Sequence, residues 1–200
     1  MKTLPILILV LWISVATEAL VCQKCENFQG NICTNYINET CPQGVTRCYV
    51  NIMMEKMGEK IYYQSTRGCT KYIGSCINNF TMVVGTGVKM MVSTSYCCTG
   101  DLCNKRPIDL PPLDTKVNGL KCPACIKKGS ACTSTETAIC LGSQDRCFEF
   151  SGGVFNGTAY EDWAFKGCTT GNVCESCTRQ YKKPLPLRRD YKLFCPNNPL

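Results

Sequence analysis

Cysteine spacing sets the terms for this chain. Cys22 and Cys25 stand two residues apart, and gaps of seven, seven, six and twenty residues lead on to Cys33, Cys41, Cys48 and Cys69. Cys122 and Cys125 are again two apart, followed by gaps of six, seven, six and twenty to Cys132, Cys140, Cys147 and Cys168. The flanks repeat as well. Arg47-Cys48 mirrors Arg146-Cys147, and Arg67-Gly68-Cys69-Thr70 mirrors Lys166-Gly167-Cys168-Thr169. Self-similarity of this kind means one structural unit used twice. Beyond it the copies diverge. The first continues to Cys76, Cys97-Cys98 and Cys103-Asn104; the second continues to Cys174, Cys177 and Cys195. Cys174 takes the place of Cys76 and Cys195 that of Cys97. Nothing in the second copy matches Cys98 or Cys103, and Cys177 is extra.

Nineteen cysteines in 200 residues approach the density of a secreted disulfide scaffold. The amino terminus agrees. Lys2, an uncharged apolar run from Leu4 to Val15, and small residues at Thr17 and Ala19 predict a signal peptide over residues 1–19, cleaved after Ala19. The run is too short to be read as a membrane span. Such a leader routes the chain through an oxidising compartment, where its cysteines pair. Three acceptors for N-linked glycans, Asn38, Asn79 and Asn156, fit that route. After Cys195 only five residues remain, none forming an apolar tail, so the expectation is a secreted extracellular protein without a membrane anchor.

The same cysteines divide the chain. A first domain is expected over residues 20–104 and a second, truncated one over 122–200. Between them, residues 105–121 hold Pro107, Pro111 and Pro112 and read as an extended linker. Cores of about 80 residues are marginal without staples, and each disulfide adds roughly 2–4 kcal/mol. No long segment has a helical period. Aromatic and β-branched runs broken by glycine turns, such as 48–54 and 61–66 around Met57-Gly58-Glu59, predict antiparallel hairpins. The expected class is all-β, with cysteines gathered at the base of projecting hairpins.

Function classes narrow by exclusion. The chain contains no histidine, so it lacks the ordinary general base for a serine or cysteine nucleophile, and no enzyme is expected. A net charge of +7 is basic without the excess of a nucleic-acid binder. The Cys-x-x-Cys pairs at Cys22/Cys25, Cys122/Cys125 and Cys174/Cys177 could hold zinc only through four thiolates; disulfides are expected instead, with no metal or cofactor.

What remains is binding. Lys182, Lys183, Arg188 and Arg189 form a basic run where the second domain's last hairpin should project. They are candidates for docking an acidic protein or a sulfated glycan, against the plainer reading of a solvated loop. Tyr62, Tyr63 and Trp163 are candidate interface anchors. Met53, Met54, Met57, Met82, Met90 and Met91 form either an adaptable contact face or core filling. An odd number of cysteines leaves one without an intramolecular partner. Cys174 and Cys177 are the candidates, and the alternatives are a disulfide-linked homodimer or a capped thiol.

The ending Cys97-Cys98-Thr99-Gly100-Asp101-Leu102-Cys103-Asn104 resembles the terminal signature of the three-finger superfamily of snake toxins, Ly-6 proteins and the urokinase receptor. That resemblance implies two three-finger domains. It also implies the pairs Cys22–Cys48, Cys25–Cys33, Cys41–Cys69, Cys76–Cys97 and Cys98–Cys103. In the second domain it implies Cys122–Cys147, Cys125–Cys132, Cys140–Cys168, and Cys195 with either Cys174 or Cys177. A two-domain chain with a complete first unit and a truncated second is similar to the gamma-type phospholipase A2 inhibitors, which implies sequestration of a secretory phospholipase A2. A second branch of similar architecture, the sodefrin-precursor-like pheromone proteins of amphibians, implies a signalling ligand acting on a cell-surface receptor.

Overall fold

The computed structural model describes residues 19–71, 76–155, 159–180 and 192–196. The expected leader therefore lies outside the described residues, apart from Ala19, as do Asn156 and the basic run from Lys182 to Arg189.

The first unit begins with β1 (Val21–Asn27) and β2 (Ile37–Thr40), which pair antiparallel as a short first finger. A long hairpin follows, β3 (Arg47–Met57) and β4 (Lys60–Thr70), paired residue by residue from Arg47↔Thr70 to Met57↔Lys60. Its turn holds Gly58 at φ 58°, a left-handed conformation that costs glycine nothing. The third finger is β5 (Phe80–Val84) and β6 (Lys89–Cys98), and β6 pairs along β3 over ten residues. Cys48, Val50 and Ile52 are buried in alternation, the period of two expected for a strand with one face inside.

The second unit repeats the plan. β7 (Val117–Lys128) pairs with β8 (Glu136–Leu141), and β9 (Arg146–Phe155) pairs with β10 (Tyr160–Thr169). Strand β7 starts at Val117, so the last five residues of the expected linker belong to the sheet, with Val117 opposite Leu141. The third finger departs from the all-β plan. A helix, α1 (Gly171–Gln180), follows β10, and only a three-residue strand, β11 (Lys192–Phe194), pairs with β9. The class is nearly all-β, with this helix the exception among the described residues.

Nine disulfides staple the two units. In the first they are Cys22–Cys48, Cys25–Cys33, Cys41–Cys69, Cys76–Cys97 and Cys98–Cys103. In the second they are Cys122–Cys147, Cys125–Cys132, Cys140–Cys168 and Cys174–Cys195. The bridge to Cys195 thus starts from Cys174; Cys177 lies in α1. Within each unit two bridges touch. Cys22 Sγ is 3.2 Å from Cys41 Sγ, and Cys122 Sγ is 3.5 Å from Cys140 Sγ. These contacts take the place of a larger apolar interior.

One sheet joins the units. The upper half of β10 pairs with β7, and its lower half leaves β7 to pair with β5 of the first unit: Gly167↔Val84, Cys168↔Val83 and Thr169↔Met82. Gly85 N donates to Lys166 O at 3.0 Å, and Thr170 N donates to Thr81 O at 3.2 Å, extending the ladder at both ends. Gly167 makes this approach possible, since a Cβ there would lie 1.9 Å from the Val83 carbonyl oxygen. Val83 is buried among Cys122, Ala124, Ala138, Cys140, Cys147 and Cys168, so a side chain of the first unit completes the core of the second. Met82 and Val84 pack against Phe148 on the other face.

Candidate functional site

The seam draws two walls together around a cleft of about 510 Å³. One wall is the central hairpin and β6 of the first unit, contributing Met53, Met57 and Met91. The other is the second unit's sheet, contributing Ile126, Val154, Trp163 and Phe165, and Phe28 closes one end. Strand alternation explains why these side chains meet. Met53, Glu55 and Met57 share one face of β3, and Met91 stands opposite Glu55 on β6. Phe165 stacks on Phe150 with ring centroids 4.4 Å apart and meets Phe148 edge-on at 6.0 Å, which fixes the floor.

Two ion pairs set the electrostatics of a cleft whose other lining residues, apart from Gln64, are apolar or aromatic. Lys89 Nζ reaches Glu55 Oε1 at 2.8 Å, and both side chains are only about one-fifth exposed, at 22% and 20%. Across the cleft Lys128 Nζ donates to Glu161 Oε1 at 2.9 Å. That hydrogen bond, helped by one from the Trp163 indole, holds the Glu161 carboxyl below its ordinary range. Each lining charge is thus matched. Phe28, Met57 and Ile126 are 47%, 43% and 37% exposed, a concentration of uncovered apolar surface that marks an interaction site. Volume and lining fall within the range of small-ligand and side-chain docking pockets.

The candidate anchors separate. Trp163 lines the cleft. Tyr62 stands opposite Glu55 in the register, on the cleft's face of the hairpin, and is 50% exposed. Tyr63 pairs with Met54 and faces the other way. The methionines divide between their two alternatives. Met53, Met57 and Met91 line the cleft, while Met82 is buried and Met90 packs on the cysteine core of the second unit. Of the glycan acceptors, Asn38 is exposed on β2. Asn79 sits at the seam at φ 48°, its side-chain oxygen accepting from Thr94 Oγ1 at 2.7 Å. Nothing in the sequence singles out Phe28, Ile126 and Val154 as lining residues. Period-two alternation signals that they share a sheet face with neighbours, but only the inter-unit pairing shows which faces meet.

The sulfurs of Cys22, Cys41 and Cys69 lie within 4.8 Å of one another, as do those of Cys122, Cys140 and Cys168. All six belong to disulfides, and a bridged sulfur carries no thiolate charge for a cation.

Residues 18–106 and 118–198 each match the model of the u-PAR/Ly-6 domain. Among curated proteins the chain is 26% identical to the CD177 antigen of Mus musculus over 65% of its own length and 16% of that protein. It is 35% identical to the gamma subunit of a phospholipase A2 inhibitor from Gloydius brevicaudus siniticus, over 41% of each chain. Phospholipase A2 inhibitor NAI of Notechis ater aligns at 27% identity over 85% of this chain and 84% of its own. The chain thus spans less than half of the first two relatives and most of the third.

Proposed function

The chain belongs to the u-PAR/Ly-6 domain family, and from that premise we propose that it is an extracellular, non-enzymatic binding protein that sequesters a secretory phospholipase A2. The observation that carries this reading is the end-to-end similarity to the Notechis ater inhibitor, which spans both units and the linker. The absence of histidine argues against hydrolytic chemistry of its own. The inter-unit cleft supplies a docking surface. Its walls are fixed by the shared sheet, so little ordering entropy is lost on association, and its three methionines adapt to the shape of an apolar insert.

The test is a pull-down of purified secretory phospholipases A2 with the secreted protein at micromolar concentration, with residual hydrolysis measured in parallel. Co-elution with loss of hydrolysis is the expected result. Trp163→Ala and Met57→Asp should each weaken the complex about tenfold or more, ~1.4 kcal/mol per decade. No association with any enzyme overturns the reading in favour of a ligand for a cell-surface receptor.

A further inference from the structure

We propose that a second cleft, at the cysteine base of the first unit, binds a sulfated glycan, independently of any phospholipase partner. Its volume is about 610 Å³, and the floor is formed by Cys76, Cys97 and Cys98. The bridges Cys76–Cys97 and Cys98–Cys103 hold that floor in place. Arg47, Asn78, Thr94, Tyr96, Thr99 and Arg106 supply the polar lining, and none of the described lining residues is acidic.

The two arginines reach the cleft from different elements. Arg47 opens β3 and is fixed by its pairing with Thr70. Arg106 belongs to the linker, and its guanidinium lies 5.7 Å from the centroid of the Tyr96 ring, a cation–π distance. That contact holds the linker arginine against the sheet. Both arginines are exposed. Neighbouring carboxylates are directed elsewhere: Asp101 Oδ1 accepts from Val21 N at 2.8 Å, and Asp109, exposed in the linker, is outside the lining. Among the described residues this leaves two uncompensated cations facing one cleft, on a chain of net charge +7.

The chemistry selects the ligand. A guanidinium presents a planar fork of donors that matches the oxygens of a sulfate ester two at a time. Neutral hydroxyl and amide groups between the arginines suit the hydroxyls of a sugar ring. A single-stranded nucleic acid fits worse, because it draws on an open aromatic face for its bases, and the cleft's aromatic side chain, Tyr96, is already covered by Arg106.

The experiment uses the full secreted chain and a heparin-derived octasaccharide, with binding followed by calorimetry at several salt concentrations. Wild type should bind with an affinity that falls as salt rises, and chemically desulfated octasaccharide should not bind. Arg47→Gln/Arg106→Gln should lower affinity tenfold or more while leaving phospholipase inhibition unchanged. Lys182→Gln/Lys183→Gln/Arg188→Gln/Arg189→Gln should retain most of the binding. If the double variant is poorly secreted, Arg106→Gln alone decides, because its side chain lies in the linker outside the strands; a several-fold loss is expected. Absence of octasaccharide binding overturns the proposal. So does unchanged affinity in the arginine variants, or binding by inorganic sulfate as tight as by the octasaccharide.

Discussion

The two copies of the repeated unit close their cores by different means. In the first, the loop between Cys98 and Cys103 folds back on β1. Asp101 takes the Val21 amide, Leu102 N donates to Val21 O at 2.7 Å, and the buried Asn104 side chain spans two strands. Asn104 Oδ1 accepts from Gln23 N at 2.9 Å, while Nδ2 donates to Gln23 O at 2.8 Å and Tyr49 O at 3.0 Å. Arg67, nearly buried, donates to the Asn104 carbonyl, and burial lowers its pKa. Among the described residues the second unit has none of this. Pro123 occupies the place of Gln23 and has no N–H to give an asparagine. Lys166 occupies the place of Arg67 and meets Glu149 at 2.8 Å, where the first unit has Val50. Closure comes from outside instead, through β5 and the Val83 side chain. A duplicated domain can lose its own clasp when its neighbour lends a strand.

The most damaging way to break this arrangement is at Gly167. At the corresponding Gly68, an added Cβ would meet side chains rather than backbone, the Tyr49 ring at 3.3 Å and Glu39 Oε2 at 3.8 Å. Gly167→Ala should therefore separate β5 from β10 and cost more than ~3 kcal/mol, seen as lost secretion or a large fall in melting temperature. Gly68→Ala should cost ~1 kcal/mol or less. Equal effects at the two glycines would refute the asymmetry.

Next in size is Asn104→Ala, which removes a buried side chain and strands the part-buried partners of its three hydrogen bonds. At about 1 kcal/mol for each bond, a loss of ~3 kcal/mol is expected in urea unfolding. Hydrogen exchange at the Gln23 amide should accelerate ahead of any amide in β9.

Val83→Ala sharpens the contrast, because the altered residue is in one unit and the cavity opens in the other. A cost of about 2 kcal/mol is expected, with protection from exchange lost first in β7 and β8. Loss confined to β5 and β6 would contradict a shared core. Smallest is Glu149→Gln. The Lys166–Glu149 pair is partly solvated, so about 0.5 kcal/mol is expected, visible only as a slight shift in a urea midpoint.

The duplicated cysteine spacing carries the two-unit plan in the sequence itself, and the glycine-broken runs within the twenty-residue gap from Cys48 to Cys69 carry the hairpin class, while the family is legible in the ending Cys97 to Asn104. The join between units is not legible in the same way. Thr81 to Val84 reads as one arm of a hairpin, and nothing local says that its outer edge is covered by residues more than eighty positions away. Helix α1 escapes for another reason. Its segment, Gly-Asn-Val-Cys-Glu-Ser-Cys-Thr-Arg-Gln, has no apolar stripe, and the bridge Cys174–Cys195 anchors it more than any propensity does. The cleft inherits both blind spots. Trp163 and the methionines are visible as candidates, but the wall they face is set by the long-range pairing.

Val83 in the cysteine core of the second unit has a practical consequence for the fate of the protein. A protease that nicks the exposed linker near Lys105 and Arg106 would cut the backbone without separating the halves, since a strand of one is woven into the sheet of the other. The cleaved material should migrate as a single particle under native conditions and fall into two fragments only once denatured.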